Sequence, residues 1–295
     1  MPPAPDVPVR PGRACRPAGG GAIWVGRRAL ELLGSGAGVF TVTTSHGAGF
    51  WVLTPGGVVG LLRPPAPRGI RLIGLDATLP LPAVPPRGET AVTWDGSRLT
   101  WTAAGGVVAV CDLRAAPRWN PPPLEPPPLP PGGMGDRAAR ARRLLALLAP
   151  RPLDLPSEDV AALAAARGDE HALRAAVDRL AGRGGGLTPS GDDVLAGFAG
   201  LCPPALRTVL RRLFADAATT RLSRDLLMDA CDGYLLEPAA TFARWLLGEE
   251  GEPPAAILGR LVRIGHQSGL GLATGLLAAA AARAGDAAPA GGLDR

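Results

Sequence analysis

Between Ile23 and about Asp112 the apolar positions come in short β-branched runs broken by glycine and polar pairs. Runs at 38–45 and 49–55 flank the turn candidate Ser45-His46-Gly47-Ala48, and a third at 58–62 follows Gly56-Gly57. Further runs fall at 69–75, 89–103 and 105–113, with Asp95-Gly96 placed as a tight turn between Trp94 and Trp101. Only 26–33 reads as helical in this half. Short strands joined by glycine-rich turns predict an antiparallel sheet or small barrel.

Past Met134 the period changes from two to three and four. Helices are expected at 135–149, 157–167, 169–182, 190–201, 203–217, 219–232, 237–248, 254–264 and 268–284. Ser157–Asp159 and Thr219-Thr220 suit helix starts, and Gly233 suits a helix end. Glycines 269, 271 and 275 in the last helix permit close approach of a neighbour. The stretch NPPPLEPPPLPPGG within 115–133 can form neither helix nor central strand, so it reads as an extended surface connector. The fold class is therefore α+β: a β-rich antiparallel region at 20–114, a proline-rich hinge at 115–133 and a mainly α-helical region at 134–286. Residues 1–20, rich in proline and glycine, are expected to be loosely laid down.

Composition narrows the chemistry. Lysine is absent, so all 31 basic side chains are arginine. That excludes a Schiff-base lysine, a pyridoxal-phosphate anchor and a P-loop lysine. Any cationic anion ligand must be arginine or a metal ion. The net charge is +5, and the cluster Arg137, Arg140, Arg142 and Arg143 has no interleaved aromatics and no nucleic-acid module around it. It reads as a solvated helix face, with no nucleic-acid partner. No apolar stretch follows the N-terminal arginines, and none is long enough to span a bilayer, so a cytoplasmic protein with no membrane partner is expected. Cys15, Cys111, Cys202 and Cys231 are widely scattered and read as free thiols. The three histidines give no zinc spacing.

Two polar islands stand out: GGGLTPSGDD (184–193) and GHQSG (265–269). In the first, three glycines allow unusual backbone, Pro189 fixes the approach, and Ser190 with Asp193 fits a capping box at a helix start. On that reading Asp192 is redundant for the cap. Backbone N–H groups of 186–191, including Gly186 and Gly191, with the Thr188 and Ser190 hydroxyls, could hold a phosphate or carboxylate. Alternatively Asp192 or Asp193 could hold a magnesium ion. His266 could position substrate or relay a proton, and Ser268 could cap the last helix. The helix after Thr220 brings Thr220, Ser223 and Arg224 together, with Arg224 available as anion ligand. His46 and His171 are weaker candidates. The residues alone leave open a metal-dependent hydrolase and a noncatalytic ligand-binding or scaffold subunit.

LTPSGDDVLAGF (187–198), Thr219-Thr220 with Leu222-Ser223, and GHQSG with Gly275 beyond resemble, in this order, the AllH family, named after a subunit of oxamate carbamoyltransferase. The resemblance implies a role in ureide or purine nitrogen catabolism, including allantoin degradation. The implied reaction interconverts oxalurate and phosphate with oxamate and carbamoyl phosphate. It also implies partner subunits in a hetero-oligomer and a small anionic metabolite as ligand. By resemblance Thr188, Ser190, Asp192, Asp193, Thr220, Ser223, His266 and Ser268 carry over as the shared polar positions. One departure is plain: where the family commonly has an aspartate after the GH-x-SG segment, this chain has Leu270-Gly271-Leu272. A second acid is not supplied from that helix.

Overall fold

The computed structural model describes residues 18–82, 90–103, 106, 108–149, 151–166 and 169–286. Residues 1–17, and with them Cys15, lie outside the described residues. Nine strands form one sheet: β1 (Ala18–Gly26), β2 (Gly38–His46), β3 (Gly49–Thr54), β4 (Gly57–Leu62), β5 (Leu72–Leu75), β6 (Ala91–Trp94), β7 (Arg98–Thr102), β8 (Val108–Asp112) and β9 (Arg118–Trp119). A short helix, α1 (Arg27–Leu33), follows β1. The order is β5-β4-β3-β2-β6-β7-β8-β1-β9, and an added β5–β1 pairing closes the sheet into a barrel.

The strand β1 makes that closure. Its first half pairs parallel with β8, from Ala18↔Ala109 to Gly21↔Asp112. Its second half pairs antiparallel with β5, with Trp24↔Gly74 and Val25↔Ile73. Gly74 leaves room for the Trp24 indole, because a Cβ there would lie 2.2 Å from its Nε1. The sheet is thus not purely antiparallel: β1–β8, β1–β9 and β4–β5 run parallel. The run at 69–75 is a strand only from Leu72. Gly69, Ile70 and Arg71 form the approach to it, and they face the helices. Inside the barrel Phe50 and Trp101 pack with ring centroids 5.1 Å apart, each such side chain contributing about 1.5–3 kcal/mol by burial.

The helical region holds α2 (Met134–Leu148), α3 (Ser157–Ala165), α4 (Glu170–Leu180), α5 (Ser190–Leu201), α6 (Pro204–Ala215), α7 (Arg221–Cys231), α8 (Glu237–Leu246), α9 (Pro254–Leu261) and α10 (Ser268–Asp286). Every residue of α5 is buried. Its partner is α10, and glycines set their spacing. A Cβ at Gly275 would sit 2.0 Å from the Val194 carbonyl oxygen, and one at Gly197 would sit 2.2 Å from that of Leu272. Side chains at those two positions would push the helices apart, so the backbones touch directly.

The proline-rich stretch packs onto both the barrel and the helices. Its β9 pairs with β1, Leu124 is buried, and the Leu124 N–H donates to the Gly233 carbonyl at 2.8 Å. The buried Arg207 donates to Leu124 O (2.8 Å), Gly200 O (2.6 Å) and Ala199 O (3.0 Å). Proline removes donors but leaves carbonyls free, and arginines from the helices take them. Arg283 does the same at Pro127 O, 2.6 Å away. The stretch is a strap laid over the helical layer.

Barrel and helices are joined by charge. Arg28 on α1 pairs with Asp229 and Asp232. Arg71 pairs with Asp229 through Nε and Nη2, and its Nη1 lies 3.5 Å from Asp225.

Candidate functional site

The loop before α5 is anchored from within. The Gly191 N–H donates to Arg183 O (2.9 Å), and those of Asp192 and Asp193 donate to Pro189 O (2.9 and 3.2 Å). These helix-start amides are spent on the protein's own carbonyls. Gly186 stands exposed at φ 98° on the outer part of the loop. The expected capping box does not form. Ser190 lies inside the first turn behind Pro189, with no side-chain cap. Its hydroxyl instead donates to Gln267 Oε1 at 3.1 Å, because burial of the whole first turn turns it toward a distant partner.

The segments found by sequence meet here. Thr188 Oγ1 and Ser268 Oγ share a hydrogen bond of 3.1 Å. Thr220 Oγ1 donates to Leu187 O at 3.1 Å and accepts the Ser223 N–H at 3.0 Å, capping α7. Gln267 ties the group to the 152–154 loop by donating to Pro152 O and accepting the Asp154 N–H, both at 3.1 Å.

The two aspartates differ. Asp192 Oδ1 accepts the Gly182 N–H at 2.8 Å, and its Oδ2 accepts the Thr219 hydroxyl. Asp192 is therefore a scaffold residue, not a redundant one. Asp193 is buried against α10, and its Oδ2 has no hydrogen-bond partner among the described residues. Burial pushes its carboxyl up to about 8; the Ser268 hydroxyl pulls it down, the Asp192 charge adds to the rise, and the Thr188 hydroxyl pulls it down. Such a carboxyl is largely protonated at neutral pH. Asp192 has both oxygens committed to protein donors, so of the two aspartates Asp193 is the one that leaves a carboxyl oxygen unpaired for a magnesium ion. Among the described residues no group of three His, Cys, Asp or Glu side chains could hold a metal ion.

Two expected residues stand apart. Arg224 Nη2 donates to Ala217 O at 3.0 Å, holding the turn that leads into α7, and it does not line the cavity described below. His266 is exposed, with Nε2 3.0 Å from Arg151 Nη1. Arginine only donates, so Nε2 is the acceptor in this contact. His46 Nδ1 accepts the Ala48 N–H at 3.3 Å within its own turn, and His171 lies exposed near the start of α4. Cys111, Cys202 and Cys231 are buried free thiols; burial pushes Cys111 and Cys231 up to about 12, so none is a nucleophile at neutral pH.

A cavity of about 50 Å³ lies where barrel meets helices. Its walls include Arg71, Thr188, Asp192, Asp193, Ser223 and Asp229. Arg71, Asp229 and Gln267 were not singled out by sequence reading. Arg71 had a signal, a charge interrupting the apolar run GIRLIGL, and Gln267 sat in the middle of a motif already noted.

Fold and site together define an α+β protein with a small chamber at the seam of a barrel and a helical layer, its walls largely apolar with a few polar side chains. Residues 180–280, which carry the helical wall of that chamber, match the family model described as oxamate carbamoyltransferase subunit AllH. No curated protein and no solved structure matches the chain. Among the described residues no helix is long and apolar enough to cross a membrane.

Proposed function

We propose that this chain is a subunit of an oxamate carbamoyltransferase-like enzyme. It would bind a small carbamoyl-bearing or oxamate-type metabolite at the chamber where the motif segments meet. The observation that carries the reading is the Thr188–Ser268 hydroxyl pair, made by two motifs 80 residues apart, with Thr188 on the wall of a buried cavity. The match over 180–280 supplies the reaction class. The donors on offer are hydroxyls, because the amides of Gly191, Asp192 and Asp193 are engaged. Donors fixed in place before the ligand arrives stabilise charge that develops during transfer. Asp193, held neutral, can donate a proton or a hydrogen bond. His266 sits on the outer side of the same loop, where a partner subunit could reach it. The reading includes a cytoplasmic location and partner subunits, with turnover requiring the assembled enzyme.

A metal-dependent hydrolase using both aspartates would have to free Asp192 from the Gly182 N–H and the Thr219 hydroxyl. A noncatalytic binding subunit would share the chamber and differ in turnover. The test is calorimetric titration of the chain with carbamoyl phosphate, phosphate, oxamate and oxalurate, with and without magnesium. At least one should bind, and the double variant Thr188→Ala/Ser268→Ala should weaken it about tenfold or more. No binding by any of the four overturns the proposal. Binding that the double variant leaves unchanged moves the site elsewhere.

A further inference from the structure

The helical layer carries a second and larger hollow, which shares no lining residue with the seam cavity. Helices α2 and α3 both pack on α10 but hardly touch each other, so a groove of about 700 Å³ runs between them. Its floor is α10 from Leu270 to Ala282, about 18 Å of helix. Leu145 and Ala146 of α2 form one wall, and Val160 and Ala161 of α3 form the other. Ala146 and Ala161 are exposed. Water against these aliphatic walls finds no hydrogen-bond partner there, so covering them is favourable. An open apolar face of this kind is where another surface docks.

The crest beside the groove supplies a side chain to fill it. Leu147 follows Ala146, about 100° further round α2. It is 82% exposed, the most exposed large apolar side chain among the described residues. Met134, Ala138, Ala141 and Leu145 bury the opposite face of α2, so Leu147 points away from its own core. Knob and hollow thus lie side by side on one open face. A two-fold axis turns that arrangement into a closed pair, because each copy's knob then enters the other's hollow.

The charges at the rim agree. Arg142 and Arg151 line the groove, and no acidic side chain does. Arg142 donates to Leu277 O at 3.2 Å, and Arg151 donates to His266. Neither of them, nor the exposed Arg143 on the same crest as Leu147, has a carboxylate partner among the described residues. Across the groove Glu158, in the first turn of α3, is exposed and takes only the neighbouring Ser157 hydroxyl, at 3.5 Å. Each copy therefore offers uncompensated guanidinium groups from α2 and an uncompensated carboxylate from α3. An isologous pairing that sets α2 of one copy against α3 of the other brings opposite charges together and keeps like charges apart.

We infer that the groove between α2 and α3 is a self-association surface, on which two copies of this chain pair with each Leu147 seated in the groove of the other. Sedimentation velocity of the purified chain tests it. The wild type should sediment as a species of twice the chain mass at micromolar concentration and dissociate on dilution. Leu147→Glu removes the knob, and Ala161→Arg obstructs the hollow. Each should raise the dimer dissociation constant about tenfold or more. Both positions are exposed, so circular dichroism should show the helix content of the wild type. Val39→Glu, at another exposed apolar position but on the barrel, should leave the dimer intact. A wild type that stays monomeric overturns the inference and leaves the groove to a different polypeptide. So does a dimer that survives either groove variant, or one that Val39→Glu also disrupts, since the copies then meet elsewhere.

Discussion

Asp192 accepts the backbone N–H of Gly182 at 2.8 Å across the loop that separates them. With the Thr219 hydroxyl on its other oxygen, it fastens the ends of α4 and α6 to the start of α5. Replacement by alanine leaves a buried N–H and a hydroxyl without their acceptor, which should cost about 2–3 kcal/mol. Asp192→Asn should cost less, since the amide oxygen can still accept from Gly182 and the Thr219 hydroxyl can turn to accept from the new NH₂. Chemical denaturation of both variants checks this. Equal stability of Asp192→Ala and wild type would show that the carboxylate does not hold the loop.

Asp193 should make stability depend on pH in a direction opposite to that of a salt-bridged acid. In the unfolded chain an aspartate releases its proton near about 4. In the folded protein Asp193 keeps it until about 8. Between those values the folded state binds the extra proton, so stability falls as pH rises through this window and levels off above it. Asp193→Asn keeps the shape and removes the titration. The variant should match the wild type near pH 4 and gain on it by up to about 1.4 kcal/mol per pH unit toward pH 8. Unfolding curves of both proteins from pH 4 to 9 measure the difference, in which other titrating groups largely cancel. A difference that does not change with pH would mean that the carboxyl titrates normally.

Arg207 should control the proline-rich strap. Its guanidinium serves three carbonyls, one of them at Leu124. Arg207→Leu leaves those oxygens unpaired, at a cost of about 2–3 kcal/mol. Limited proteolysis should then cut within 120–130 faster than in the wild type. An unchanged cleavage rate would show that the strap is held by Leu124 and β9 alone.

How far the sequence could be read depended on the range of the interaction. Strands β2 to β8 and all of the helices follow from local periodicity, while β9 lies in the stretch read as a connector. The parallel pairings of β1 and β4 were not legible, because they join segments whose local texture is the same in either direction. Ser190 shows the limit most clearly. Its position next to a helix and three residues before Asp193 fits a capping box, yet its hydroxyl goes to Gln267, 77 residues away. The strap's extended form followed from its prolines, but the arginines that hold it come from distant helices. Thr188, Ser190 and Ser268 were legible as motif members. Arg71 was not, since only the folded chain places it beside Ser223 and Asp193.

The double pairing of β1 has a consequence for the order of events during synthesis. Residues 18–21 leave the ribosome long before their β8 partners at 109–112, and residues 25–26 wait longer still for β9 at 118–119. Until then the first strand has only β5 to pair with, and the barrel stays open on one side. The nascent chain must shield that gap while some ninety residues are added, at about 5–20 residues per second. Closure at β8 and β9 thus comes just before the strap and the first long helix emerge, so the barrel is ready as a docking block when α7 brings Asp229 to it.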